Sequence, residues 1–134
     1  MSWDVLLMRA PAEVSGMDDL PRDFAPHPIG SLPDALGRLE SELPEVDLSD
    51  PEWGVIEGPI WSIELNIGRE DPLEAVMLHV RGGGDDVLTV ILRIGQVLGC
   101  RALDTSTGDF LAEGRTEGWR AFQQYRDRVT NKPG

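Results

Sequence analysis

Between residues 61 and 67 the chain alternates without a break: Trp61, Ile63, Leu65 and Ile67 are apolar, while Ser62, Glu64 and Asn66 are polar. A period of two describes a strand that buries one face and wets the other. Such a strand needs neighbours for its backbone groups and a second layer for its dry face. Two segments of helical period supply that layer. Leu32, Leu36, Leu39 and Leu43 recur at steps of four, three and four residues, one stripe on a 3.6-residue repeat. Val87, Leu88, Ile91, Leu92, Ile94 and Leu98 form a broader apolar surface, wide enough to lie flat on a sheet.

The remaining elements fall around this pairing. Residues 2–9 read as a first strand, with Trp3, Val5 and Leu7 alternating against Asp4 and Leu6. Ser31 is the expected N-cap of the first helix, with Pro33 in its first turn and Asp34 completing a capping-box-like Ser-x-x-Asp; Pro44 ends it. Strands are expected at 53–57, 60–67 and 73–80, with short connections that favour antiparallel neighbours. Gly99 is the expected C-cap of the second helix and residues 101–104 a last strand. Trp119, Phe122, Tyr125 or Arg126, and Val129 mark a C-terminal amphipathic helix. The order β-α-β-β-β-α-β-α predicts an α+β fold: a single antiparallel or mixed sheet with helices packed mainly on one face, its strand order left open.

At 134 residues the chain is expected to form one domain spanning 1–134. Its main irregularity is a Pro-rich acidic loop at about 10–30, with Pro11, Pro21, Pro26 and Pro28; Met17, Leu20, Phe24 and Ile29 are expected to anchor it to the domain. Cys100 is the sole cysteine, so no internal disulfide forms, and a reducing cytoplasm is the expected compartment. The start lacks basic residues and a signal-length apolar core, and the apolar run at 87–98 is interrupted by Thr89, Arg93, Gly95 and Gln96; neither a secretory signal nor a membrane span is expected.

Charge is distributed unevenly. Residues 1–60 carry 13 acids against 3 arginines, a net of −10, whereas residues 61–134 carry 11 against 9 bases, a net of −2. The acidic half repels nucleic acid and anionic lipid and attracts basic partners. The densest patch, residues 40–52, follows the C-terminus of the first helix, where the helix dipole opposes negative charge. Residues 115–132 have a local net of +3.

Four constellations bear on function. Arg81-Gly82-Gly83-Gly84 links a strand to a helix, but it lacks both nucleotide-loop spacings, and Asp85 and Asp86 would repel a phosphate there. It reads as a flexible turn with an Asp N-cap. His79 with Asp85, Asp86, Asp104, Asp109 and Glu64 could converge at one sheet end, yet a lone strand histidine is weak support for a metal, and no metal or cofactor is expected. Cys100 follows a helix C-terminus, the wrong end for activating a thiol, and Asp104-Thr105-Ser106-Thr107-Gly108-Asp109 has no nucleophile elbow, so catalysis is not the leading reading. The fourth is an acidic face with aromatics: Glu45, Asp47, Asp50, Glu52, Trp53, Glu57 and Trp61. Trp as a desolvated anchor with carboxylates steering a basic partner is a recurrent binding arrangement.

Trp3-Asp4-Val5, Pro51-Glu52-Trp53-Gly54, the run from Leu78 through His79, Arg81 and Gly84 to Asp85, Ala102-Leu103-Asp104, Thr107-Gly108-Asp109-Phe110, and Trp119 with Tyr125-Arg126-Asp127 carry a further signal. On these segments the chain resembles a largely uncharacterised family of small acidic bacterial proteins, a resemblance that brings no catalytic residues with it. In size and charge it is similar in type to immunity proteins of bacterial toxin systems, which bind and block a toxin. The expectation is therefore a cytoplasmic, non-catalytic binding protein, an immunity-type inhibitor that occludes a basic partner such as a toxin through the carboxylates of 45–57 with Trp53 or Trp61. The alternative is a small enzyme or ligand-binding domain built on His79, Arg81, Asp85 and Asp104. A homo-oligomer joined by its sheet face is a third course, and oligomeric state is left open.

Overall fold

The computed structural model describes residues 2–112 and 116–130, with side chains described as far as Arg128. The fold is α+β: one open five-stranded antiparallel sheet with three helices. In chain order the elements are β1 (Trp3–Met8), a single 3-10 turn (Met17–Asp19), α1 (Leu32–Glu42), β2 (Trp53–Glu57), β3 (Trp61–Asn66), β4 (Ala75–Gly82), α2 (Asp86–Leu98), β5 (Arg101–Asp104) and α3 (Glu117–Thr130). Two sequence expectations shift at their ends: β4 starts at Ala75 and runs through Gly82, and Ile60 lies in the β2–β3 turn, 65% exposed.

Strands β2, β3 and β4 form a meander, and β1 inserts between β4 and β5, giving the order β2-β3-β4-β1-β5. Because β1 is antiparallel to both neighbours, β4 and β5 run parallel to each other, and α2 makes the crossover. This is a split β-α-β unit. The composition of β1 suits this interior position: Trp3, Val5 and Leu7 are buried on one face, while Leu6 and Met8 pack on the other, so β1 is dry on both sides where it meets β5.

The main core lies on one face only. Trp3, Val5 and Leu7, Ile56, Trp61, Ile63 and Leu65, Val76, Leu78 and Val80, and Ala102 face the helices; α1 contributes Ala35 and Leu39, α2 contributes Val87, Ile91, Ile94 and Leu98, and α3 contributes Trp119. Local chemistry sets the helix ends. Ser31 Oγ accepts from Asp34 N–H at 3.2 Å, the expected cap. Gly99 closes α2 in the left-handed region at φ 68°. The unfavourable acids after α1 are offset by Arg93 of α2, which donates to the Glu42 carbonyl at 2.8 Å and to Glu45 at 3.3 Å.

The opposite face of the sheet is divided. At its β1–β5 end, Met8, Leu103 and Phe110 form a second cluster covered by Val14, Leu20 and Phe24 from the Pro-rich loop. That loop is draped as expected with one correction: the Met17 side chain is 46% exposed and packs in neither cluster, the residue being held by its N–H on the Gly108 carbonyl at 2.8 Å, whereas Ile29 sits in the main core. At the β2–β4 end the outer face is uncovered by any described helix or strand. Both outer strands are themselves paired. Asp47 exchanges two backbone hydrogen bonds with Val55 of β2, and Ala102 and Asp104 of β5 bond to Leu111 and Asp109.

The run Gly82-Gly83-Gly84 is a packed junction, not the flexible turn its composition suggests. Gly83 N–H donates to the Ile60 carbonyl at 3.0 Å, and Gln123 of α3 donates to the Gly82 carbonyl at 2.9 Å. Gly82 has φ 94°, and a Cβ there would overlap the Ile60 carbonyl. Asp85 also departs from expectation. It occupies the N-cap position of α2 but makes no capping bond; its carboxylate takes the Trp119 indole N–H at 3.0 Å instead. No described helix is long and apolar enough to cross a membrane.

Candidate functional site

The alternation of β2, β3 and β4 sends one set of side chains to the uncovered face, and the register arranges them in rows. Trp53 lies opposite Asn66, which lies opposite Met77. In the next row Val55, Glu64, His79 and Asp4 follow one another across four strands, and in the third Glu57, Ser62 and Arg81. The rows are cross-linked. His79 Nδ1 lies 2.8 Å from Asp4 Oδ1, which also accepts from Ser2 Oγ at 2.7 Å. Arg81 Nη1 donates to Glu64 Oε1 at 2.6 Å. The Trp53 indole lies across the sheet and stacks on His79, with ring centroids 6.1 Å apart and planes 26° apart. A shallow depression of about 360 Å³ borders the third row, lined by Glu57, Ser62, Arg81, Pro59 and Ile60 among others.

Acids line the adjoining edge. Asp47 holds Ser49 through its side-chain hydroxyl at 2.6 Å and its N–H at 2.9 Å, and these two bonds hold the Asp47 carboxyl below its usual range, so it stays ionised. Asp50 Oδ1 accepts from Glu52 N–H at 3.0 Å, closing the turn into β2. Glu52 pairs with Arg69 at 2.6 Å and Glu45 with Arg93 at 3.3 Å. Among the described residues Asp47, Asp50 and Glu57 have no cationic partner.

The four tryptophans separate into two groups. Trp3 donates its indole N–H to Asp104 at 3.1 Å, Trp61 to Asp86 at 2.9 Å and Trp119 to Asp85 at 3.0 Å, and all three rings are buried. Trp53 alone is 43% exposed, and no such bond engages it among the described residues. Trp61 therefore leaves the expected docking face: it points to the helices, opposite in direction to Trp53. Comparison with protein-family models, curated proteins and solved structures finds no match to this chain.

The sequence-based ligand site is split by the sheet. His79 and Arg81 share the outer face, but Asp104 points inward, 2% exposed, where its carboxylate accepts from Trp3, Ser106 N–H and Ser106 Oγ. Asp85 serves Trp119 at the start of α2. Asp86 is likewise taken by Trp61, and Asp109 lies in the turn after β5. Among the described residues no group of three or more His, Cys, Asp or Glu could hold a metal ion. Burial pushes the Cys100 thiol up to about 11, which keeps it protonated at neutral pH. Asp4, Met77 and Val55 belong to the outer face and carry no signal in sequence beyond their alternation. Val129 and the basic residues Arg115 and Lys132 lie outside the described side chains.

Proposed function

We propose that this protein acts by binding, as an immunity-type inhibitor that occludes a basic partner protein through the uncovered sheet face and its acidic edge. The observation that carries the reading is the isolation of Trp53. Three tryptophans are spent on the fold, and the fourth lies exposed on an open sheet face, on the strand that follows Asp50 and Glu52 and that Glu57 ends. Trp53, Val55 and Met77 supply an aromatic and aliphatic centre, and the carboxylates supply a charged rim, the usual anatomy of a protein-binding patch. A basic partner would be steered by the rim and anchored by the ring. The reading includes a cytoplasmic location, no cofactor and no nucleic-acid ligand.

Partner capture with the purified protein as bait tests it. The double substitution Glu52→Lys with Glu57→Lys should abolish capture while the fold persists, because it adds repulsion as well as removing attraction. Trp53→Ala should weaken the complex by on the order of 2 kcal/mol or more, and rising salt should weaken it further. A partner indifferent to salt and to both changes would refute the mechanism.

One observation favours a second reading, a small-ligand or general-base site on the same face. Asp4 orients His79 through Nδ1, and Nε2 has no hydrogen-bond partner among the described residues. That is how a carboxylate prepares an imidazole for proton transfer. This site would be carried by Asp4, His79 and Arg81, without Asp85 or Asp104. Ligand binding lost in His79→Ala and kept in Glu52→Lys with Glu57→Lys would favour it.

A further inference from the structure

We infer that the group this face reads is specifically an arginine side chain, seated on the open flank of Trp53; the inference rests on the docking role proposed above. His79 stacks against the Trp53 indole at 6.1 Å and 26°, and the residue is still 43% exposed, so the opposite flank of the ring faces solvent. An indole face is the best aromatic platform for a cation. A lysine ammonium is a strongly hydrated point charge. A guanidinium is planar and weakly hydrated, so it lies flat on the ring and keeps its N–H fork free for carboxylates in the same plane.

The two ends of β2 carry carboxylates, and the Trp53 N–H donates to the Asp50 carbonyl at 3.1 Å, which keeps Asp50 next to it. Asp50 closes the turn that starts β2, and Glu57 ends the strand; neither has a cationic partner among the described residues. Two of the protein's own arginines already pair with carboxylates of this region. Arg81 Nη1 holds Glu64 at 2.6 Å on the open face, and Arg69 Nε holds Glu52 at 2.6 Å just before β2. The Arg69 side chain is 86% exposed, so this pair contributes little to the fold and can be exchanged. Arg69 is a resident occupant of a carboxylate that an incoming arginine would take.

The test uses two blocked, fluorescein-labelled peptides of equal charge, hexa-arginine and hexa-lysine, titrated by anisotropy at low ionic strength. The wild-type protein should bind the arginine peptide about two- to fivefold tighter, the range of one exposed cation–π contact. In Trp53→Leu the preference should vanish while charge-driven binding of both peptides remains. Arg69→Ser, which frees Glu52 without touching the core, should tighten the arginine peptide, and Trp53→Phe should keep part of the preference. Equal affinities in the wild type, or a preference that survives Trp53→Leu, would overturn the arginine assignment and leave the acidic docking face standing. Failure of both peptides to bind would overturn the docking face as well.

Discussion

The inward Asp104 gives the sharpest energetic prediction. Its Oδ1 accepts three hydrogen bonds, from Trp3 Nε1 at 3.1 Å, Ser106 N–H at 2.8 Å and Ser106 Oγ at 2.6 Å. Gly118 belongs to the first turn of α3, and a Cβ there would overlap this carboxylate, so the positive end of the helix packs directly on it. In Asp104→Ala the Ser106 donors return to water, since Ser106 is exposed. Trp3 is 3% exposed and cannot follow. A stranded buried donor costs about 1–3 kcal/mol, and with the lost charge-assisted bond the total should be about 3 kcal/mol. Trp3→Phe removes the donor but keeps a ring against Trp119, whose centroid lies 5.1 Å away. If the stranded N–H dominates, the double variant should be less destabilised than the two single changes added together, with a coupling of about 1.5 kcal/mol. Urea unfolding followed by far-UV circular dichroism on the four proteins closes the cycle. Asp104→Asn, which retains an acceptor oxygen, should cost less than Asp104→Ala. A loss below about 1 kcal/mol in Asp104→Ala together with zero coupling would refute the claim that this carboxylate holds Trp3.

Three further outcomes are expected. Leu39→Ala and Ile91→Ala, both at fully buried positions of α1 and α2, should each cost about 2–5 kcal/mol in the same urea assay; values near zero at both would contradict helix-on-sheet packing. Cys100 rises from an ordinary 9.0 to about 11 through burial, so the folded state holds a proton that the unfolded state releases above 9; stability should fall as pH climbs from 9 to 11, a slope absent from Cys100→Ala. Elemental analysis of the purified protein should find no stoichiometric zinc, and about one zinc per chain that disappears in His79→Ala would replace the docking reading with a metal site.

The parts of the fold that sequence makes plain are those whose signals are local. The Ser31–Asp34 cap, the alternation of Trp61 to Ile67, the apolar breadth of α2 and the glycine that ends it each depend on neighbours within a few residues. The insertion of β1 between β4 and β5 does not. It depends on pairing Asp4 with His79 across 75 residues, which no local pattern carries, and the histidine's partner is therefore invisible in sequence. The same insertion puts Asp104 on the inner face and His79 on the outer, separating residues that share only a strand end. Trp61 is a different case. It has the parity of Ile63 and Leu65, so alternation alone predicts its burial, and parity outweighs the acidic residues around it. Asp85 misleads for a third reason: an aspartate before a helix usually caps it, but a buried indole N–H is a more demanding donor than backbone groups that water can reach.

The closure of both outer strands limits how this molecule can be recognised. With Val55 engaged by Asp47 and with Ala102 and Asp104 engaged by Leu111 and Asp109, neither margin offers an uninterrupted ladder among the described residues for another chain to extend. Edge-to-edge growth of the sheet is disfavoured, and so is capture by an added strand. On the docking reading, specificity then rests on side chains, over positions such as Trp53, Glu57 and Arg81 whose replacement leaves the backbone hydrogen bonds in place. On that reading, a scaffold of this kind would change its partner one residue at a time.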